Sequence, residues 1–367
     1  METSRERILK AINHIQPETT PINLEGIYDP SVWYQHFDTK DKIVLRDKLD
    51  LDIQSARPVY VGPRLQEGLS IWGAPLEDIY GAAGVGYGSD RKYPLAHAST
   101  VTDIENFPWP DPDDFDYEVV PEVLKTIPND RAKRLDGKYG LETEGYSHEE
   151  LTQSGPWVPL VCTLFDMFGL EETLLKLLLE PEIIDAAVRN IEGFMLEFYR
   201  RLLEAAGDEA DIVYFGDDFA TQTGMMMAPG QWRRFFLPTY KKLFDLIRSH
   251  DKVVWMHSCG SFHPVMGDLI DAGLQVWETV QIQATGNEPE RIKKEYGSHI
   301  TFYGAISTQN TLPYGTEEDV RKEVRERISV LGRSGGYICG ADHGIMPDVP
   351  LKNVLAMFDE ARKYGQD

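Results

Sequence analysis

The second half of the chain alternates short apolar runs with amphipathic segments, and this alternation constrains the fold more than any other feature. The amphipathic segments have helical periodicity and end at glycine; the clearest, residues 316–331, has capping-box spacing between Thr316 and Asp319. Repeated strand-then-helix units favour a parallel sheet covered by helices. The predicted strands are residues 211–215, 252–256, 275–280, 299–304 and 336–339.

These five strands, with others near residue 21 and in the region 139–162, predict eight strands. We therefore expect one α/β domain over residues 1–367, a single (β/α)8 barrel of the TIM type. An open doubly wound sheet is the alternative, but no G-x-G-x-x-G turn follows an early strand. The main repeats occupy residues 136–367, whereas residues 1–135 form an irregular N-terminal part rich in aromatic residues and proline.

Charge and cysteine content exclude several classes of partner. The chain has 60 acidic and 37 basic residues and a formal net charge of -23, which disfavours binding to nucleic acid or to an anionic membrane. Three cysteines cannot form a disulfide framework, and no stretch of about 18 apolar residues is present. We expect a cytoplasmic protein; a homodimer is compatible with the sequence, which does not fix the oligomeric state.

In an α/β barrel the reactive side chains follow the carboxyl ends of the strands. After the strand at 252–256 comes the sequence HSCG, with His257 and Cys259 two positions apart. Such residues project to the same face of an extended segment, so an imidazole and a thiolate can converge on one ion. Nitrogen and sulfur ligands together suit zinc. The alternative is a buried cysteine beside a hydrogen-bonded histidine.

Catalytic zinc usually has three protein ligands and one open position, so a third ligand is needed. The last strand and its loop read GGYICGADHGIMPDVP and offer Cys339, Asp342 and His343. Cys339 lies in or at the end of the strand and could equally be a small core residue. His343 lies in the following loop, from which a side chain can reach over the barrel mouth.

Carboxylates follow two other strands. Asp217 and Asp218 come after the strand at 211–215, and Glu278 lies on or just past the strand at 275–280. The two aspartates are candidate catalytic residues, with a helix cap or a strand-end turn as the equal alternative. Glu278 lies among apolar residues, where an unpaired charge is costly, so we expect it to meet a metal, a base or a substrate.

The chain resembles the uroporphyrinogen decarboxylase superfamily over nearly its whole length. The segments that carry the resemblance are ERILKAINHIQPETTPI, WPDPDDFDY, the block from DIVYFGDDF to LFD, VVWMHSCGSFHPVMGDLIDAGLQVWETVQ, ITFYGAISTQNTLPYGTEEDV and PDVPLKNVLAMFDEARKYG. The resemblance implies a barrel. True decarboxylases of this family carry an N-terminal segment whose arginines hold substrate carboxylates. The corresponding residues 23–37 contain no arginine and two acids, so we expect a different reaction.

The HSCG segment is similar to the His-x-Cys of the cobamide-dependent methyltransferases, which bind zinc through His-x-Cys and a later cysteine. The resemblance assigns His257 and Cys259 as zinc ligands and, through GIMPDVP, favours His343 over Cys339 as the third. It implies methyl transfer between a small substrate and the corrinoid (cobalamin) of a partner protein, with either a thiol or a methoxylated compound as that substrate. The aromatic-rich first half of the chain, which can enclose a methoxylated compound, favours the latter. Asp217, Asp218 or Glu278 would orient the substrate or supply a proton. The alternatives are a metal-independent decarboxylase and a non-catalytic barrel that binds a corrinoid or another ligand.

Overall fold

A computed structural model describes residues 2–40, 42–66, 69–75, 93–137, 140–141 and 157–364. Its helices, in chain order, are α1 Ser4–Ile12, α2 Ser31–Phe37, α3 Lys42–Leu49, α4 Val101–Glu105, α5 Val119–Thr126, α6 Val161–Phe168, α7 Leu170–Leu179, α8 Pro181–Ala206, α9 Pro229–Phe235, α10 Leu237–Ser249, α11 His263–Ala272, α12 Pro289–Tyr296, α13 Thr311–Tyr314, α14 Glu317–Leu331 and α15 Leu351–Lys363.

The strands are β1 Ile53–Ala56, β2 Val59–Tyr60, β3 Phe115–Asp116, β4 Ala132–Asp136, β5 Gly140–Leu141, β6 Ile212–Gly216, β7 Ala220–Thr221, β8 Gly224–Met225, β9 Val253–His257, β10 Val276–Val280, β11 Thr301–Ile306 and β12 Tyr337–Ala341. Seven of them form one sheet in the order β1-β4-β6-β9-β10-β11-β12, and every pair in it is parallel. Such a sheet, with helices between its strands, is an α/β architecture consistent with a TIM-type barrel.

The segment at residues 21–23 connects the two outer strands of this sheet. The Cys339 N–H of β12 donates to the Pro21 carbonyl at 2.8 Å, and the Asn23 N–H donates back to the Cys339 carbonyl at 3.1 Å. On the other side, the Asp52 N–H, next to β1, donates to the Ile22 carbonyl at 3.2 Å. The predicted strand at 21–25 therefore lies where an eighth barrel strand would lie.

Helix α1 covers the interior of the curled sheet at the N-terminal ends of its strands. Its buried residues Ile8, Ala11 and Ile12 pack in one cluster with side chains from all seven strands, among them Ile212, Tyr214, Trp255, Val276, Tyr303 and Ile338. Side chains alternate along a strand, so residues two positions further along these strands also point into the interior. Polar groups at those later positions therefore face the open, C-terminal end.

The structure confirms the five predicted strands of the second half to within about two residues. Residues 170–207 have a helical sequence pattern with an expected break at Pro181, and they form two helices, α7 and α8, that meet there, because proline is tolerated in the first turn of a helix but not inside one. Capping boxes at Thr3 and Thr316 start α1 and α14.

The first half differs from expectation. Barrel strands β1 and β4 lie at 53–56 and 132–136, inside the part predicted to be irregular. Each is only four or five residues long and almost wholly buried, so neither shows the alternation that identifies a strand. Of the region 139–162, residues 139 and 142–156 lie outside those that the structure describes. Within the described residues, no helix combines the length and apolarity that crossing a membrane requires.

The closure by α1 can be tested with a matched pair of isoleucines. Ile8 is fully buried against the barrel interior, whereas Ile15 is 54% exposed. We expect Ile8→Ala to lower the free energy of unfolding by about 2–5 kcal/mol, since it leaves a cavity. Ile15→Ala should change it by no more than about 0.5 kcal/mol. Urea denaturation measures both, and equal effects would contradict the packing of α1 against the barrel.

Candidate metal centre

His257 is the last residue of β9 and points into the barrel interior, two positions beyond the buried Trp255. Its side chain is fully buried. In the register of the sheet it lies beside Gly216 of β6 and Glu278 of β10. A side chain at Gly216 would collide with Trp157, whose ring lies 4.8 Å from the His257 ring. The absence of a side chain at residue 216 therefore lets Trp157 pack over the imidazole.

Cys259 follows in the turn after β9, and its backbone fixes its position. The Cys259 N–H donates to Asp218 Oδ1 at 2.6 Å. The next residue, Gly260, has a φ of +86°, and a Cβ there would lie 2.4 Å from the Thr221 carbonyl oxygen, so only glycine fits the turn. This turn leaves the Cys259 sulfur 3.4 Å from His257 Nε2.

His343 lies in the loop after β12, as expected from the sequence. Its side chain approaches those of His257 and Cys259. One donor atom each from His257, Cys259 and His343 lie within 4.8 Å of one another. The His343 ring stacks on Tyr28 with 6.3 Å between centroids. Two imidazole nitrogens and one thiolate sulfur form a donor set that fits zinc, with room for a fourth ligand.

The electrostatics of this cluster favour positive charge. Burial acts to lower the pKa of His343, but its hydrogen bond to Cys259 and the charge of Glu25 raise that pKa to about 9. Burial likewise opposes protonation of His257, yet Glu25 and Cys259 raise its pKa well above the ordinary value. A site that stabilises protons on the buried His257 and the partly exposed His343 also stabilises a cation that replaces those protons.

Two carboxylates approach the other edge of the His257 ring. Glu25 Oε1 lies 3.4 Å and Glu278 Oε1 lies 3.5 Å from His257 Nδ1. The second oxygen of Glu278 accepts from Trp255 Nε1 at 2.5 Å and lies 3.9 Å from the guanidinium of Arg134. Glu278 has no solvent exposure. Glu278 therefore contacts the Nδ1 edge of the His257 ring, the edge opposite Cys259.

Asp217 is fully buried, and its carboxylate caps the N-terminus of helix α6. Its carboxylate accepts from the backbone N–H groups of Leu160, Val161 and Cys162 at 2.8–2.9 Å, at the start of α6, and from the Tyr240 hydroxyl at 2.7 Å. A carboxylate at a helix N-terminus satisfies unpaired donors and complements the helix dipole. This geometry favours the helix-cap alternative for Asp217 over a catalytic role.

The Asp218 side chain points toward His257 and Cys259 instead of toward α6. Its side chain is 33% exposed, and Oδ1 lies 3.9 Å from His257 Nε2 while it accepts from the Cys259 N–H. Of the three carboxylates selected from the sequence, Asp218 is the one that reaches both the cluster and solvent.

Cys339, the alternative third ligand, is not in the cluster that the structure assembles from its described residues. Its side chain packs with the helix-facing core, on the opposite face of β12 from Ile338, which points into the barrel. Burial raises the pKa of the Cys339 thiol to about 12, so the thiolate that a metal requires is disfavoured there. The structure therefore favours the reading of Cys339 as a core residue.

Sequence reasoning did not select Glu25, Trp157 or Tyr28, all of which contact the histidines of the cluster. Glu25 could have been found, because it ends the predicted strand at 21–25 and the strand-end rule applies to it as to the others. Trp157 and Tyr28 lie in segments without periodicity, and their positions depend on contacts distant in sequence.

The role of Asp217 can be tested by stability. We expect Asp217→Ala to lower the free energy of unfolding by about 3 kcal/mol or more, since three buried N–H groups and a hydroxyl lose their acceptor. Tyr240→Phe removes only one of the four bonds and should cost about 2 kcal/mol. Urea denaturation and hydrogen exchange at residues 160–162 provide the measurements. A variant of unchanged stability but lost activity would instead indicate a catalytic Asp217.

Comparisons with known proteins agree with this architecture. The family model of uroporphyrinogen decarboxylase (URO-D) matches residues 154–364. The chain is 25% identical over 279 residues to uroporphyrinogen decarboxylase of Geobacter metallireducens, covering 73% of this chain and 71% of that protein. It is 23% identical over 269 residues to methylated-thiol–coenzyme M methyltransferase of Methanosarcina mazei, covering 72% of this chain and 63% of that protein.

Among solved structures, a methyltransferase from Methanosarcina mazei superposes with a TM-score of 0.63 at 15% identity, with 99% of each chain covered. At this identity the similarity establishes the shared fold. The family model covers more than half of the chain and includes every strand end of the candidate centre except the segment that carries Glu25. The chain belongs to the uroporphyrinogen decarboxylase family.

Proposed function

We propose that this chain is a zinc-dependent methyltransferase that moves a methyl group between a small methoxylated substrate and a corrinoid carried by a partner protein. The convergence of His257, Cys259 and His343 carries the proposal, because a metal-independent decarboxylase has no use for a nitrogen and sulfur donor set of this kind. Similarity to a methylated-thiol methyltransferase supports the reaction class. The zinc, the corrinoid and the substrate class belong to the proposal.

The exposure of the three donor residues indicates the side from which a substrate reaches the cluster. His257 is inaccessible, whereas Cys259 and His343 are partly exposed, so a fourth ligand reaches the cluster from their side. Bound there, zinc would act as a Lewis acid toward the oxygen that leaves when the methyl group departs. Asp218 lies on the same side with part of its carboxylate in solvent, so it can orient the substrate or give a proton to the leaving oxygen.

The ligand set favours demethylation of an ether over methylation of a thiol. The cobamide-dependent methyltransferases that the chain resembles bind zinc through His-x-Cys and a later cysteine, whereas in this chain His343 lies beside His257 and Cys259. A neutral imidazole in place of a thiolate removes one negative charge from the ligand set. With this ligand set, a bound dication would keep more of its charge and would polarise a leaving oxygen more strongly.

Aromatic side chains beside the cluster support an aromatic substrate. The Trp157 ring lies 4.8 Å from His257, and Tyr28 stacks on His343. A flat methoxylated ring can stack between such side chains with its methoxy oxygen directed toward the donor atoms. A polyanionic porphyrinogen fits less well, because Glu25, Asp218 and Glu278 surround the cluster with negative charge.

Metal content tests the ligand assignment. We expect the purified protein to hold one zinc per chain, measured by inductively coupled plasma mass spectrometry. His257→Ala, Cys259→Ala and His343→Ala should each lose it, since each removes a donor from the cluster. Cys339→Ala is the control: it removes a thiol from the same barrel but outside the cluster, and it should keep the metal. Zinc lost from Cys339→Ala and retained in His343→Ala would reverse the assignment of the third ligand.

Methyl exchange tests the reaction. We expect the zinc-loaded protein to transfer methyl groups from methoxylated aromatic compounds to cob(I)alamin, with methylcobalamin detected by its absorbance. Cys259→Ala should abolish the transfer, and Cys339→Ala should retain it. Decarboxylation of uroporphyrinogen, assayed in parallel, should not occur. Turnover of the porphyrinogen without metal, together with no methyl exchange across the donor panel, would replace the proposal with a decarboxylase.

A further inference from the structure

We propose that Glu278 and Glu25 are positioning residues that hold the His257 imidazole with its proton on Nδ1 and its Nε2 lone pair directed at the metal. The inference rests on the proposed function, because it assumes a metal ion bound on the Nε2 side. It assigns a positioning role to Glu278, which the sequence analysis treated as a candidate catalytic residue, and to Glu25, which the sequence analysis did not select.

The two edges of the ring face different chemistry. On one edge, Nδ1 lies 3.4 Å from Glu25 Oε1 and 3.5 Å from Glu278 Oε1; on the other, Nε2 lies 3.4 Å from the Cys259 sulfur. A neutral imidazole has one N–H and one lone pair, and an ionised carboxylate can only accept. The carboxylates therefore favour the tautomer with the proton on Nδ1, which leaves Nε2 free to bind a cation.

Glu278 is itself held in place. It lies directly opposite His257 in the register of β9 and β10. Its Oε2 accepts from Trp255 Nε1 and lies 3.9 Å from the buried Arg134 guanidinium, so Oε1 remains for His257. Neighbours that fix the partner of a metal-binding histidine also fix the orientation of the ring and increase the donor strength of its other nitrogen.

A competing arrangement must be distinguished. Glu25, His257 and Glu278 also lie within 4.8 Å of one another, so a cation could bind among the carboxylates at Nδ1. That position is fully enclosed, whereas Cys259 and His343 on the Nε2 side are partly exposed and open to substrate. A thiolate ligand distinguishes the two arrangements, because Cys259 faces Nε2 alone.

The experiment measures zinc affinity by competition with a chelator in the wild type, Glu278→Gln, Glu278→Ala and Glu25→Gln. We expect Glu278→Ala to weaken zinc binding about 10- to 100-fold. Glu278→Gln keeps an acceptor without the charge and should fall between Glu278→Ala and the wild type; Glu25→Gln should also bind more weakly than the wild type. Asp52→Asn is the matched control: Asp52 is a buried, arginine-paired carboxylate next to β1 that accepts from the Ile22 N–H. It should lower stability and leave zinc affinity unchanged.

Cobalt(II) substitution identifies the side on which the metal binds. We expect a thiolate-to-cobalt charge-transfer band in the wild type and in both Glu278 variants, with altered ligand-field bands in the variants because the imidazole is less well oriented. Wild-type zinc affinity in Glu278→Ala and Glu25→Gln would overturn the inference and leave the proposed function intact. Binding without a thiolate band would overturn it too, in favour of the carboxylate side. A wild type without metal would refute the proposed function itself. If Glu278→Ala does not fold, Glu25→Gln and Glu278→Gln decide.

Discussion

The buried imidazole of His257 is the interaction on which the rest of the site depends. Its two nitrogens face a sulfur on one edge and two carboxylates on the other, and its side chain has no solvent exposure. The arrangement follows from strand register: parallel pairing brings His257 of β9 level with Glu278 of β10 and with Gly216 of β6. A one-residue change of register would turn His257 toward the helices and separate these groups.

The charges inside the barrel are costly to bury, which makes their presence informative. Arg134 and Asp136 pair at 2.7 Å on β4, and the guanidinium also lies 4.5 Å from the Tyr214 ring centroid. Burial disfavours the charge on Arg134, but Asp136 and Glu278 raise its pKa above the ordinary value. A buried ion pair seldom stabilises a fold more than apolar residues of the same volume would. This charged layer is therefore better explained by the proposed metal site at His257 than by a contribution to stability.

The sequence predicted the second half of the barrel and three members of the cluster, because helices and strands there alternate with clear periods and each strand end is readable. It did not identify β1 and β4, whose short, buried strands lack alternation. It also could not separate Asp217 from Asp218, which follow the same strand. The contact between Asp217 and α6 decides which of these two carboxylates turns toward the helix and which toward the mouth. The contacting residues are more than 50 positions apart in the sequence.

At the last strand, too, two adjacent residues have different roles. This arrangement fixes the positions of the donor atoms. Asp342 is buried and accepts from the backbone and hydroxyl of Thr308, while its neighbour His343 turns into the cluster. Likewise Asp217 anchors α6, while Asp218 holds the Cys259 backbone. At each of these strand ends a buried carboxylate anchors the scaffold, and the next residue turns to the mouth. Donor atoms fixed in this way would lose little conformational freedom on binding the proposed metal, so the geometry of the cluster would favour affinity and restrict which metal fits.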